Sequence, residues 1–299
     1  MAKQASAQGA RDTPVYRSEA GRAAVMESYQ RKLQSLAFAH ESRMLETQFG
    51  QTHVLALGQP LNPPLLALHG VNFGAPFMAD FVGPLAHKFR IYIPDIVGQP
   101  GRSAPVQPDP SSGHNYARWV VNVLDGLGID AAPVIGISFG GAVALDLAAY
   151  APQRISKAAL IVPGGFQGSG SYVSLLFRLF LPWQLYRFFP DRSRVAGVVR
   201  PLAWEMDEAY YDHFDAILRH AHWLIPPPGP FSREHLKDFH APTAVYAARQ
   251  DIFFPGDEII PEARMVIPNL ADAAVFESSH FPTKAMQTEV TRRISSFLG

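Results

Sequence analysis

The chain has 299 residues, and its 26 Lys and Arg balance 26 Asp and Glu, so the formal net charge is zero. Hydrophobic residues make up 47% and charged residues only 17%, a composition that buries a sizeable core and offers no basic stripe for nucleic acid. No cysteine is present, which excludes disulfides, thiol catalysis and cysteine-type zinc sites.

In chain order, residues 1–16 are polar and rich in small side chains, and read as a disordered tail. They lack the apolar core of a signal peptide, so the expected location is the cytoplasm. Residues 18–39 carry Val25, Tyr29, Leu33 and Leu36 at helical spacing. Residues 44–49 and 53–57 alternate around Gly50-Gln51 and predict a hairpin. Residues 65–68 form a short buried strand running into His69-Gly70. A helix over residues 77–88 and a strand over Arg90–Pro94 follow. A Pro-, Gly- and Ser-rich loop then leads to a helix over Asn115–Leu127, ended by Gly128. Ala132–Ile137 reads as a strand, Phe139–Tyr150 as its helix and residues 157–162 as the next strand. Alternating strands and helices imply crossover connections and a mostly parallel sheet, an α/β fold.

From residue 164 to 240 the strand signal stops. The segment is dense in aromatics, among them Phe177, Trp183, Tyr186, Trp204, Tyr210 and Trp223, and reads as a helical cap inserted between two sheet strands. The core is then residues 17–163 and 241–299. The apolar stretch 174–189 is broken by Arg178, Pro182, Gln184 and Arg187, too short and too charged to span a membrane. Strands over residues 243–247 and 273–276 and helices over 257–266 and 283–298 complete the chain.

Chemistry concentrates at the strand ends. Gly136-Ile137-Ser138-Phe139-Gly140 places a serine on a strand-to-helix turn, its hydroxyl in the open, where flanking glycines let backbones approach closely. A serine hydroxyl needs a base. His280, after the last strand, can hang over the sheet edge where Ser138 points. Asp251, a short turn after the strand at 243–247, can orient that imidazole and stabilise its charged form. Asp257 reads instead as a first-turn helix acid and Asp272 as a solvated residue. His53, His87 and His114 read as surface or satisfied core residues. His213, His220 and His222 lack a metal-binding carboxylate pattern and read as ordinary cap residues. The backbone N–H groups of Phe139 and Val71 are candidates for an oxyanion hole.

On these residues the chain resembles the α/β-hydrolase family from Met44 to Leu298. Asp95-Ile96-Val97-Gly98-Gln99-Pro100-Gly101-Arg102-Ser103 is similar to the family's D-x-x-G-x-G-x-S loop, with Gln-Pro where many members have a shorter Gly-His. His69-Gly70-Val71-Asn72 departs from the H-G-G-G run of many lipases. The resemblance implies an eight-stranded, mostly parallel sheet with a helical cap after the sixth strand. It also implies a carboxylesterase-like serine hydrolase acting on a small-molecule ester, with no metal or cofactor. The same triad serves thioester, amide, lactone and C–C cleavage. A non-catalytic binding protein and a membrane-surface lipase, its interfacial helix at 174–189, are the other readings.

Overall fold

The computed structural model describes residues 10–11, 14–111, 113–167, 175–222 and 225–299. The sheet has eight strands: β1 (His40–Thr47), β2 (Gly50–Leu57), β3 (Pro64–Leu68), β4 (Arg90–Pro94), β5 (Ala132–Ile137), β6 (Ile155–Ile161), β7 (Thr243–Ala248) and β8 (Leu270–Phe276). Their spatial order is β1-β2-β4-β3-β5-β6-β7-β8. β2 pairs antiparallel with β1 and β4, and the remaining pairs are parallel.

Helices cover both faces. α1 (Glu19–Gln34), α2 (Ala75–Val82) and α9 (Lys284–Leu298) lie on one side; α3 (Asn115–Leu127), α4 (Phe139–Tyr150) and α8 (Gly256–Val266) lie on the other. The strands show why both faces must be covered. Leu66, Leu68, Val134, Val245 and Ala247 join the α3–α4–α8 core, while Leu65, Ala67, Ile135, Ala244 and Tyr246 join the opposite one. Alternate side chains point to opposite faces, so a strand buried on both reads as an unbroken apolar run.

Between β6 and β7 lie α5 (Leu181–Phe188), α6 (Arg192–Val199) and α7 (Glu208–His220), with a π-type turn at Leu176–Phe180 leading into α5. Trp183, Tyr186, Val195, Val198 and Phe214 bury against Phe73 and Ile252, which follow β3 and β7. These helices therefore sit over the C-terminal edge of the sheet. Ser174 and Trp223, which belong to the same stretch of sequence, lie outside the described residues.

Several boundaries differ from expectation. The hairpin turn falls at Gln48-Phe49, because Gly50 takes φ 94° and pairs with Thr47, while Phe49 turns into the core. The helix expected to reach residue 88 ends at Val82 and tightens to a 3-10 turn over Gly83–His87, since Pro84 has no N–H to continue the ladder. Of the expected tail, residues 1–9, 12 and 13 lie outside the described residues. Ala10–Arg11 pairs with Gln107–Pro108, Val15 is buried, and Tyr16 bridges to Ala221. α1 packs across the chain onto α7, where Val25 buries against Ile217 and Ala221.

Candidate active site

The turn from β5 to α4 carries Ser138 at φ 50°, ψ −111°, a conformation non-glycine residues rarely adopt. The surroundings enforce it. The Ser138 N–H donates to the Ile161 carbonyl of β6 (2.9 Å), and the Ser138 carbonyl accepts from Gly164 N (3.0 Å). The two elbow glycines have no room for a side chain. A Cβ on Gly140 would lie 2.1 Å from the Leu68 carbonyl oxygen, and one on Gly136 2.5 Å from that of Gly140.

His280 Nε2 lies 2.9 Å from Ser138 Oγ, and His280 Nδ1 lies 2.7 Å from Asp251 Oδ2. An ionised carboxylate only accepts, so Nδ1 carries the proton and Nε2 is free to receive the serine's. The other Asp251 oxygen accepts from the N–H groups of Phe253 (2.8 Å) and Phe254 (3.1 Å), which fixes the carboxylate in its turn. The turn is tied to the His280 loop by Gln250 N donating to the Ser278 carbonyl (3.0 Å).

One expectation is overturned: the Ser138 hydroxyl is not in the open. Ser138 and His280 are each only 8% exposed, and Asp251 2%. The imidazole covers the hydroxyl, and the rings of Phe253, Phe254 and Phe281 surround the imidazole at 5.0, 6.1 and 5.8 Å. Excluding water in this way strengthens each electrostatic interaction inside.

Of the rival carboxylates, Asp257 lies in the first turn of α8 and pairs with Arg249. Asp272 lies within β8 and accepts from Tyr246 Oη (2.8 Å), so it is bonded rather than simply solvated. Among the described residues no three His, Asp or Glu side chains cluster as metal ligands.

The loop after β3, from His69 to Phe73, runs beside the elbow: a Cβ on Gly70 would lie 3.8 Å from Ser138 Cβ. His69 donates from Nδ1 to the Gly70 carbonyl (2.7 Å) and accepts at Nε2 from Ile96 N (2.9 Å), and burial pushes its pKa down. Asn72 takes φ 69°, and it is held there by Gln99 of the Gln-Pro departure and by His213, read from the sequence only as an ordinary cap residue. Gln99 Oε1 accepts from Asn72 N (2.8 Å), so the Gln-Pro departure from the family loop has a structural use. His213 of α7 donates from Nε2 to the Asn72 carbonyl (3.0 Å) and accepts at Nδ1 from Ser28 Oγ of α1 (2.8 Å).

His213 is fully buried, and desolvation lowers its pKa to about 4. An unfolded histidine titrates near 6.5. Between these values the unfolded chain binds more protons, so stability falls as pH drops from about 6.5, by about 3 kcal/mol near pH 4. Urea unfolding of wild type and His213→Gln near pH 7 and about pH 4.5 checks this: the variant should lose less stability over the interval. Equal losses would remove His213 from the account.

Behind this loop, Asp95 is buried at 1% exposure. Its Oδ1 accepts from Ala75 N (2.7 Å), and its Oδ2 from Tyr29 Oη (2.8 Å), Arg102 N (2.9 Å) and His53 Nδ1 (3.0 Å). Burial alone would raise its pKa, but the hydrogen bond and charge of His53, with His69 and Arg102 N, bring it below the ordinary value. The residue that caps α2 at its start, Gly74, has no side chain to do so, and the Asp95 oxygen supplies the missing acceptor. His53 is therefore a satisfied core residue, its Nε2 bonded to Ser42 Oγ (3.0 Å).

A cavity of about 1150 Å³ opens beside the site. Its lining includes His69, Gly70, Ile137 and Phe281 beside the site, Phe77 of α2, and Trp204 and Tyr210 from the segment between β6 and β7, with the charged Asp80, Glu205, Asp207 and Lys284 among them. It thus touches the chain neighbours of Ser138 and His280, while those two side chains are not among its lining residues.

A sheet of this order with a serine elbow after β5 defines the α/β-hydrolase fold, and residues 63–197 match the family described as alpha/beta hydrolase fold. The chain therefore has the α/β-hydrolase fold. Within that fold it is similar to a Bacillus subtilis protein named uncharacterized carboxylesterase nap, at 24% identity over 91% of each chain. The crystal structure of naproxen esterase (carboxylesterase NP) from Bacillus subtilis superposes with a TM-score of 0.79 at 22% identity, covering 94% of this chain and 99% of that one. A Burkholderia cepacia protein named 2-hydroxy-6-oxo-6-phenylhexa-2,4-dienoate hydrolase is 29% identical over 70% of this chain and 77% of its own.

Proposed function

We propose that the protein is a serine esterase that cleaves carboxylic esters of small to medium apolar compounds. The observation that carries this reading is the hydrogen-bonded series Ser138 Oγ, His280, Asp251 at 2.9 and 2.7 Å. His280 Nε2 takes the Ser138 proton as Oγ attacks the ester carbonyl, and Asp251 stabilises the imidazolium that forms. The N–H groups of Val71 and Phe139 hold the oxyanion. Val71 lies in the loop held by Gln99 and His213, and the Phe139 N–H opens α4, where the helix dipole favours negative charge. His280 then protonates the departing alcohol, and water activated by the same imidazole releases the acid.

The segment 164–240 acts as a cap that contributes Trp204, Met206 and Tyr210 to the lining of the substrate cavity. The apolar part of that lining, with Phe73, Phe77, Phe81, Trp204 and Phe281, favours an apolar acyl or alcohol group. A p-nitrophenyl ester series from acetate to palmitate tests this, with short and medium chains expected to turn over and palmitate to turn over least. Cleavage at a carbon–carbon bond is the second reading, favoured by the similarity to the Burkholderia cepacia hydrolase. Inactivity on every ester, with turnover of 2-hydroxy-6-oxo-6-phenylhexa-2,4-dienoate, would replace the first reading with the second.

A further inference from the structure

The segment Leu176–Phe188 is apolar on two opposite faces. Leu179, Trp183 and Tyr186, at spacings of four and three, turn inward and are buried. Leu176, Phe177, Phe180, Leu181, Leu185 and Phe188 repeat at similar spacings on the outside, where Phe177 is 61% and Phe188 70% exposed. Phe189 continues this surface at 59% exposure. A helix carries one apolar stripe against its core, so the second, outward stripe is unaccounted for by the fold, and a contiguous exposed apolar patch marks an interaction surface.

The charges around the patch say what it meets. Arg178, Arg187, Arg194 and Arg200 flank it, and none of them makes an ion pair among the described residues. The Arg187 guanidinium lies 5.9 Å from the centre of the Trp183 ring, and that of Arg194 5.6 Å from the centre of the Phe189 ring. Guanidinium groups beside aromatic rings at the edge of an exposed apolar surface suit a headgroup layer, where apolar and charged groups meet. The chain as a whole is neutral, so this positive charge is local. A second copy of the chain fits less well, because a two-fold contact through the patch would bring two copies of this same arginine-rimmed face together.

We propose that this face docks the protein on an anionic lipid surface, its aromatic and leucine side chains entering the headgroup boundary and its arginines meeting lipid phosphates. Trp204, 53% exposed, lines both the large cavity and a small cleft shared with Arg178 and Arg200. The docked face is therefore continuous with the rim of the cavity. Docking is independent of the bond the site cleaves.

Sedimentation of the full chain with phosphatidylcholine vesicles, with and without phosphatidylglycerol, tests this. Binding to the anionic vesicles that weakens with salt is expected. Arg178→Gln with Arg187→Gln should lower partitioning by roughly tenfold or more, and Phe177→Ser with Phe188→Ser should abolish it. An unchanged thermal midpoint in each variant establishes that the fold is intact, since these side chains are exposed. No binding by the wild type, or binding indifferent to lipid charge and to these substitutions, overturns the proposal. A wild-type dimer that the substitutions dissociate, without vesicle binding, assigns the face to a second copy and overturns it equally.

Discussion

Replacing Ser138 by alanine is expected to lower kcat on a p-nitrophenyl ester by about 10⁴-fold or more, with the thermal midpoint nearly unchanged. The size of the effect follows from the proposed chemistry. Without Oγ there is no acyl-enzyme, and His280 and the N–H groups of Val71 and Phe139 can at best assist direct attack by water. The fold should persist because what holds the elbow is backbone: Ser138 N to the Ile161 carbonyl, the Ser138 carbonyl to Gly164 N, and the close approach of Gly140 to Leu68. Alanine at φ 50° is strained much as serine is. A fluorophosphonate probe should label the wild type and not the variant. Residual kcat above a tenth of the wild-type value would remove Ser138 as the nucleophile.

Replacing Asp95 by alanine is expected to destabilise the protein by about 3–5 kcal/mol, the range found when one partner of a buried charged network is removed. The carboxylate joins four separate segments: Tyr29 of α1, His53 of β2, Ala75 at the start of α2 and Arg102 in the loop after β4. Without it, the buried Ala75 N–H, the part-buried Arg102 N–H and the Tyr29 hydroxyl lose their acceptor, and the buried groups bear the desolvation cost of an unsatisfied group. Asp95→Asn should cost less, because an amide keeps one acceptor oxygen. Urea unfolding of the three proteins measures this. A cost below about 1 kcal/mol for alanine would mean that water replaces the carboxylate.

Much of the fold was legible in the sequence because its signals are local. Apolar runs of five or six residues separated by helical periodicity mark strands buried on both faces, and β5 and α4 lie where the pattern puts them. The residues proposed for catalysis were legible for a related reason. Ser138, Asp251 and His280 each follow a strand, and the C-terminal ends of neighbouring strands in one sheet bring such residues together. Element ends were less legible. The Gln48-Phe49 turn depends on Phe49 finding the core, and the break after Val82 on the limits Pro84 places on the helix.

The roles of Asp95, Gln99 and His213 lay beyond the sequence. Apart from Arg102, seven residues from Asp95, their partners are 20 to 185 residues away, and no periodicity or short motif encodes a contact between α7, α1 and the loop after β3. The burial of Ser138 is of the same kind. A glycine-flanked elbow exposes its residue on the bare sheet, but here the His280 ring and its phenylalanine neighbours close over it. The sequence by itself determined the layers, the order of strands and helices, and the chemical types that follow the strands. Only the tertiary structure decided how those groups are held and how far water is kept from them, because both depend on contacts that form once distant segments pack.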